Sequence, residues 1–159
     1  MRIPTETRDL LSPYVPADTP WDVDVRLRVP HSLSAALPSS RIPRPVMAVT
    51  ARSEDRALLA IGQSFDGVVV LHPRFADLET AAGLSLLGHE MVHQQQFSTI
   101  PKFLAAYSAA ARDTPKDRPW ENPFEFPAYE AERNIYCRLV ADGFPPGNWT
   151  PLGVQLWGC

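Results

Sequence analysis

The distribution of proline most limits what this chain can fold into. Seventeen of its 159 residues are proline, and eight of these lie before residue 46. Proline has no backbone N–H and holds φ at about −65°, so the N-terminal third of the chain is not mostly helical. Within it, "WDVDVRLRV" (21–29) alternates apolar and charged residues, which predicts one half-buried strand ending at Pro30. "PSSRIPRP" (38–45) predicts a loop.

Apolar runs in the middle of the chain predict a small sheet, antiparallel or mixed. "VMAVTA" (46–51) and "ALLAI" (57–61) each fit either a strand or the end of a helix. "VVVLH" (68–72) is rich in β-branched valine, which favours a strand. "GQSFDG" between the last two runs supplies turn residues, so we predict a hairpin over 57–72 that ends at Pro73.

A long helix is predicted next. Asp77 or Thr80 can cap its N-terminus, and its pattern continues to about the glutamines at 94–96, which we interpret as ordinary polar positions. The spacing of its large apolar residues indicates one buried stripe, formed by Leu84, Leu87 and Met91.

Two shorter helices follow. One lies in "PKFLAAYSAAARD" with Pro101 at its first position, and the other covers 126–141 and ends before Gly143. The chain shows no internal repeat and has the length of one domain. We therefore predict a single α+β domain over 1–159. It has a proline-rich N-terminal segment (1–45), a core (57–141) and an irregular tail (142–159).

The predicted long helix carries the chemistry, in "LSLLGHEMVHQQQF" (84–97). Residues four apart lie one turn apart on the same helix face, so His89 and His93 can direct their imidazoles at one ion. Glu90 is placed to reach a water on that ion. This is the H-E-x-x-H pattern of zinc metalloproteases, in which two histidines bind zinc and the glutamate is the general base. A catalytic zinc site needs a third protein ligand and one open position.

No histidine follows position 93, so the third ligand is expected to be acidic. Glu125 forms E-x-x-A with Ala128 at the start of the predicted third helix, and Glu132, about two turns further on nearly the same face, is the alternative. Pro127 would lose a hydrogen bond and clash in a helix capped by Asn122, so the helix is expected to begin at Phe124 or later. The candidates for this acidic ligand are the aspartates and glutamates that follow His93: Asp113, Asp117, Glu121, Glu125, Glu130, Glu132 and Asp142.

These motifs resemble those of a known family. "LLGHEMVHQQQF", a short helix and then "NPFEFPAYEAE" resemble the small gluzincin-type metallopeptidases of bacteria, and more narrowly the zincin-like core domain of contractile injection system cargo proteins. Members of that group pair a "LLAHELTHVVQQ"-like helix with a downstream "NPxExxAY" or "ExEAD" helix. The approach to the first helix, "FDGVVVLHPRFADLETAAGLSLLGHE", is also similar. The resemblance covers about residues 57 to 140 and leaves out the first 45 residues and the tail.

The resemblance implies a minimal zincin-like fold, in which a small sheet packs on an active-site helix and on a second, glutamate-bearing helix. It implies one Zn²⁺ per chain, with His89, His93 and Glu125 as ligands and Glu90 as general base. Tyr129 stands where many relatives have Asp, at a position that orients a ligand.

The expected activity is hydrolysis of a peptide or protein substrate by a water activated on zinc. A phenolic donor would help to hold the oxyanion, and Tyr107, Tyr129 and Tyr136 are the candidates. Zincins commonly bind an extended peptide along an edge strand near the active-site helix, so we predict substrate binding along 68–72.

Two other functions fit the same residues. One is a catalytically inactive zinc-binding interaction or cargo module in which the metal is structural. The other is a metal-free helical interaction protein. Glu90 favours catalysis because a helix has no structural need for it.

Charge and cysteine content limit the partners and the cellular compartment that we expect for this protein. A net charge of −3 with no basic stripe argues against a nucleic-acid partner, and no apolar run is long enough to span a membrane. The first residues lack a signal-peptide pattern, so we expect a cytoplasmic protein or export by a route without a standard signal peptide. Cys137 and Cys159 are then expected as free thiols, with a disulfide between them as the alternative that would tie down the tail.

Overall fold

Helices and a small mixed sheet make up the part of the chain that the computed structural model describes, residues 1–28, 49–52, 58–115 and 117–159. The α-helices are α1 (Thr5–Leu11), α2 (Ala81–Thr99), α3 (Phe103–Asp113), α4 (Phe126–Ala141) and α5 (Leu152–Trp157). The strands are β1 (Asp24–Leu27), β2 (Val49–Arg52), β3 (Leu58–Phe65) and β4 (Val68–Leu71). The predicted α+β class is confirmed. The predicted loop at 38–45 lies outside the described residues.

The predicted hairpin is present, with β3 and β4 antiparallel. The predicted stretch "GQSFDG" supplies the turn residues Asp66 and Gly67, but its first four residues belong to β3, which continues to Phe65. Gly67 has φ +73°, which glycine adopts at little cost. The Gln94 side chain donates to the carbonyls of Phe65 and Val68 and accepts from the Gly67 N–H. These bonds fasten the turn to α2.

The strand at 68–72 is not an edge of the sheet. The strand order is β1-β4-β3-β2, and β4 pairs with parallel β1 on one side and antiparallel β3 on the other. Its backbone donors and acceptors are therefore engaged on both sides, which leaves no ladder for an added peptide. The free edge on which the predicted substrate position along 68–72 depended is therefore absent among the described strands.

Helix α2 lies at the centre of the molecule. The Thr80 side chain caps it by accepting from the Gly83 N–H, so Thr80 rather than Asp77 is the N-cap. Leu84, Leu87 and Met91 are buried as predicted, but burial extends beyond one stripe, because every residue from Ala81 to Gln94 is buried. A helix covered on all sides can bury polar side chains away from water, and α2 buries His89, Glu90 and His93.

Helix α4 packs on α2 over the most extensive interface between two elements. Gly88 makes this close approach possible, because a Cβ there would collide with the side chain of Ile135. Helix α4 begins at Phe126, with Pro127 in its first turn, as the proline argument predicts. It ends at Ala141 before Gly143, which has φ +91°. The packing places the residues just before α4 beside the histidines of α2.

Helix α3 begins later than predicted. Pro101 does not occupy its first position, because Lys102 takes a left-handed conformation with φ 56° and the helix starts at Phe103. Phe103 and Tyr107 are buried in a second, smaller core with Phe97, Ile100 and Phe124 partly buried against them. This cluster holds α3 against the end of α2.

The C-terminal tail is more ordered than predicted. Residues Leu152–Trp157 form α5, which packs on α4. The Gly153 N–H donates to the buried Glu132 carboxyl over 3.3 Å. Cys137 and Cys159 form a disulfide, so the expectation of free thiols is wrong. The disulfide was the stated alternative, and the packing of α5 on α4 brings the two cysteines together.

At the N-terminus, α1 is a short helix that the sequence pattern did not indicate. Its last residue, Leu11, is buried in the main core with Val23, Val25 and the centre of the sheet. Among the described residues, no helix has both the length and the apolar character needed to cross a membrane.

Candidate metal centre

Two residues of α2 and one residue just before α4 bring their ligand atoms together. His89 Nε2 and His93 Nε2 lie 3.2 Å apart. Glu125 Oε2 lies 3.4 Å from the first and 3.5 Å from the second. All three side chains are buried, at 0%, 1% and 3% exposure for His89, His93 and Glu125. His89, His93 and Glu125 thus form a buried group that can hold a metal ion.

The spacing of these atoms fits one ion. In a tetrahedral zinc site with bonds of about 2.0–2.1 Å, the ligand atoms are about 3.3–3.4 Å apart. The three observed separations lie close to that value. Glu125 Oε2 is buried and has no hydrogen-bond partner among the described residues, which is costly unless a cation takes the place of one. Both the geometry and the unpartnered oxygen therefore fit a bound cation.

The other oxygen of Glu125 is held by Tyr107. The Tyr107 hydroxyl donates a very short hydrogen bond to Glu125 Oε1. Helix α3 thereby orients the carboxyl so that Oε2 faces the histidines. Tyr107 was predicted as a hydrogen-bond donor to the oxyanion, but its hydroxyl donates to Glu125 instead.

His93 is oriented by Gln96. The Nδ1 atom of His93 lies 2.8 Å from Gln96 Oε1, and Gln96 Nε2 donates to the Phe124 carbonyl over 2.8 Å. Partners of this kind turn a histidine ligand toward its metal and fix its tautomer. The interpretation of 94–96 as ordinary polar positions is therefore wrong for Gln94 and Gln96, which are both buried. The positions of Gln94 and Gln96 in the sequence did not by themselves predict these hydrogen bonds.

Glu90 is seated against β3. Ser64 Oγ donates to Glu90 Oε2 over 2.6 Å, and a Cβ at Gly62 would collide with Glu90 Oε1. Gly62 and Ser64 are two residues apart in β3 and therefore lie on the same face of the sheet. This strand thus supplies both the hydrogen bond to Glu90 and the space for its carboxyl. Neither residue was predicted as part of the site, because both lie in "GQSFDG", whose composition is typical of a turn.

Burial and nearby charges shift the pKa values of this group. Burial lowers the pKa of His89 to about 4, so its imidazole is neutral near pH 7. Burial opposes ionisation of Glu125, but the facing His93 and His89 outweigh it and hold the pKa of Glu125 well below its usual range. For His93, burial lowers the pKa, but Glu125, Glu90 and Gln96 raise it above its usual value.

Glu90 is shifted in the opposite direction from Glu125. Burial raises the pKa of Glu90 to about 7, with the positive charge of His93 and the Ser64 hydrogen bond opposing that rise. Glu125 is therefore ionised, whereas Glu90 titrates near pH 7. Such a difference between two buried carboxyls of one site is typical where one acts as a ligand or electrostatic group and the other as an acid or base.

The remaining predicted site residues have different positions. Glu132, the alternative third ligand, is buried at 0% exposure but accepts from Gly153 instead of joining the histidines. Tyr129 packs its ring on His89, with the ring centroids 4.7 Å apart. Tyr136 packs partly buried on the main core and makes none of the contacts described above for His89, His93 and Glu125.

A small cavity reaches the group from one side. It has a volume of ≈ 110 Å³, and Tyr107 and Glu125 form part of its wall. The rest of its lining comes from the end of α3 and the segment leading to Glu125: Ala111, Thr114, Pro115, Pro119 and Asn122. The cavity borders the Glu125 side of the group, and neither histidine belongs to its lining.

Comparison with known proteins adds no relative, because no protein-family model, curated protein or solved structure matches the chain.

Proposed function

We propose that this protein is a zinc-dependent metallopeptidase of the gluzincin type with a minimal zincin-like fold. The convergence of His89 Nε2, His93 Nε2 and Glu125 Oε2, spaced as in a tetrahedral site, carries the proposal. Two imidazoles and one carboxylate are a ligand set of catalytic zinc, which keeps its fourth position for water. One Zn²⁺ per chain is expected.

Glu90 is the proposed general base. When bound, zinc would lower the pKa of a coordinated water to about 7 and polarise a peptide carbonyl. Glu90 would accept the proton of the attacking water and deliver it to the leaving amine. In the metal-free protein burial raises the pKa of Glu90 to about 7, and the charge of a bound zinc ion would lower it toward the ionised form that a base needs. Ser64 would keep the carboxyl in place throughout.

The substrate is proposed to be a peptide or protein that enters through the cavity beside Tyr107 and Glu125. Of the three tyrosines, Tyr129 is the proposed oxyanion donor, since it packs on a ligand and Tyr107 is engaged by Glu125. For an extended substrate, β2 replaces β4 as the proposed pairing strand. In the described part of the sheet β2 has one partner, β3, and its Val49 pairs with Gly62 beside Glu90.

The test has two stages. Metal content is first measured on protein purified without added zinc, for the wild type and for His93→Ala, Glu125→Ala and Glu132→Gln. We expect about one zinc per chain in the wild type and in Glu132→Gln, and loss of zinc in the other two. Cleavage of a peptide library is then measured for the wild type and for Glu90→Gln. Zinc-dependent cleavage that Glu90→Gln abolishes supports the proposal, whereas wild-type protein that takes up no zinc refutes it.

A zinc-binding interaction or cargo module without activity is the second candidate. The deep burial of all three ligands favours it, because a substrate must reach the open position of a catalytic metal. It predicts zinc in the wild type, no cleavage, and a melting temperature that zinc raises equally in the wild type and Glu90→Gln. A metal-free interaction protein predicts no zinc and no such rise.

A further inference from the structure

Gln96 joins two parts of the site that are distant in sequence. It lies on α2 three residues after His93, and Phe124 immediately precedes Glu125. The single Gln96 side chain bonds to the His93 ring on one side and to the Phe124 backbone on the other, each over 2.8 Å. Gln96 is 5% exposed, so water does not compete strongly for either bond.

The direction of these bonds follows from the Phe124 carbonyl. A carbonyl oxygen only accepts, so the amide group of Gln96 must present its NH₂ to Phe124. Its oxygen then faces His93 Nδ1, and two acceptors cannot bond, so Nδ1 must carry the proton. A neutral His93 with its proton on Nδ1 has its lone pair on Nε2, the atom that faces His89 and Glu125.

We propose that Gln96 is a positioning residue that sets the tautomer of His93 and couples it to the turn that carries Glu125. The inference rests on the proposed metal site. The same amide bonds to His93 and to the backbone just before Glu125. Displacement of that backbone would free the Gln96 amide to rotate, and the two ligands His93 and Glu125 would lose their orientation together. In the part of the chain that the structure describes, His89 has no equivalent, since no hydrogen-bond partner faces its buried Nδ1.

The chain contains a matched control for a purely structural role. Gln94 is also buried on α2 and makes three hydrogen bonds, but these go to the β3–β4 turn and none to a ligand. Replacement of Gln94 should lower the melting temperature, because the backbone groups that it bonds would be left without hydrogen-bond partners. It should leave zinc affinity within about threefold of wild type, because no ligand changes its partner.

The experiment compares Gln96→Leu, Gln96→Glu and Gln94→Leu. Zinc affinity is measured by competition with a chromophoric chelator, and the imidazole N–H protons of the zinc-loaded proteins by NMR. We expect Gln96→Leu to bind zinc about 10–100-fold more weakly and to lose the protected Nδ1–H signal of His93. Gln96→Glu keeps an acceptor toward Nδ1–H and should retain that signal, although it loses the bond to Phe124.

Each outcome bears on the proposal. Wild-type affinity in Gln96→Leu, or an equal loss in Gln94→Leu, overturns it while leaving the metal site intact. If Gln96→Leu does not fold, absence of the His93 signal in Gln96→Glu overturns it instead. Zinc binding without peptidase activity refutes the proposed catalysis alone, and wild-type protein that binds no zinc refutes the metal site and this inference together.

Discussion

At the residue scale, the candidate site depends on side chains that hold the ligands as much as on the ligands. Tyr107 binds the Glu125 oxygen that faces away from the histidines. We expect Tyr107→Phe to weaken zinc binding about tenfold, because the freed carboxyl can rotate and its buried oxygen loses a partner. Chelator competition measures the change. Tyr136→Phe is the control and should bind zinc like the wild type.

Ser64 tunes the proposed base. Its hydrogen bond to the Glu90 carboxylate opposes the effect of burial, which raises the pKa of Glu90 to about 7. Without that bond the pKa should rise further, so the base would ionise only at higher pH. We therefore expect Ser64→Ala to shift the acidic limb of kcat/KM to higher pH. An unchanged pH profile in an active Ser64→Ala enzyme would contradict this role.

At the element scale, the close contact between α2 and α4 assembles the site. Gly88 allows the contact because Ile135 occupies the space of its missing side chain. Alanine favours a helix by about 1 kcal/mol over glycine, but overpacking here costs about 1–3 kcal/mol. Since the collision is with a buried side chain, we expect Gly88→Ala to lower the free energy of unfolding in a denaturant titration. Ser98→Ala, at an exposed position of the same helix, is the control; a stabilised Gly88→Ala would count against this account of the packing.

The contact between α4 and α5 predicts a pH dependence. Burial raises the pKa of Glu132 to about 8, against the opposing hydrogen bond from Gly153. Between the ordinary glutamate pKa of 4.5 and the raised pKa of about 8, the folded protein holds a proton that the unfolded chain has released. The stability from neutral Glu132 is thus fully present below the lower value and is lost as pH rises through the upper one.

Glu132→Gln tests this dependence, because glutamine still accepts from Gly153 and does not titrate. In metal-free protein, the free energy of unfolding should fall less between pH 5 and pH 8 in Glu132→Gln than in the wild type. Urea titrations at several pH values measure the difference. Glu90 contributes in the same direction to both proteins, so parallel curves would show that Glu132 does not titrate in this range.

At the scale of the whole molecule, the disulfide ties the last residue to α4 across a sequence separation of 22. Closing a loop of this length restricts the unfolded chain and stabilises the fold by roughly 3 kcal/mol. We expect a reductant, or Cys137→Ser with Cys159→Ser, to lower the melting temperature by several degrees. The serine variant in the presence of reductant is the control and should show no further change. Equal melting temperatures for oxidised and reduced wild type would contradict this contribution.

The sequence by itself determined the features that depend on short spacings. The i, i+4 relation of His89 and His93, the hairpin within 57–72 and the late start of α4, which Pro127 imposes, all follow from local geometry, and the structure has them. It also determined that Glu125 and Glu132 were the leading candidates for the third ligand. It did not determine α5 or α1, because helices of six or seven residues depend on packing more than on propensity.

Only the tertiary structure decided the rest, because those features join residues far apart in the chain. The approach of α4 to α2 places Glu125, and not Glu132, beside the histidines. Tyr107 reaches Glu125 from 18 residues away, and Ser64 reaches Glu90 from 26. The pairing of β4 on both sides and of Cys137 with Cys159 likewise depends on which elements lie side by side. No local pattern encodes such contacts, since they form only when buried surfaces pack together.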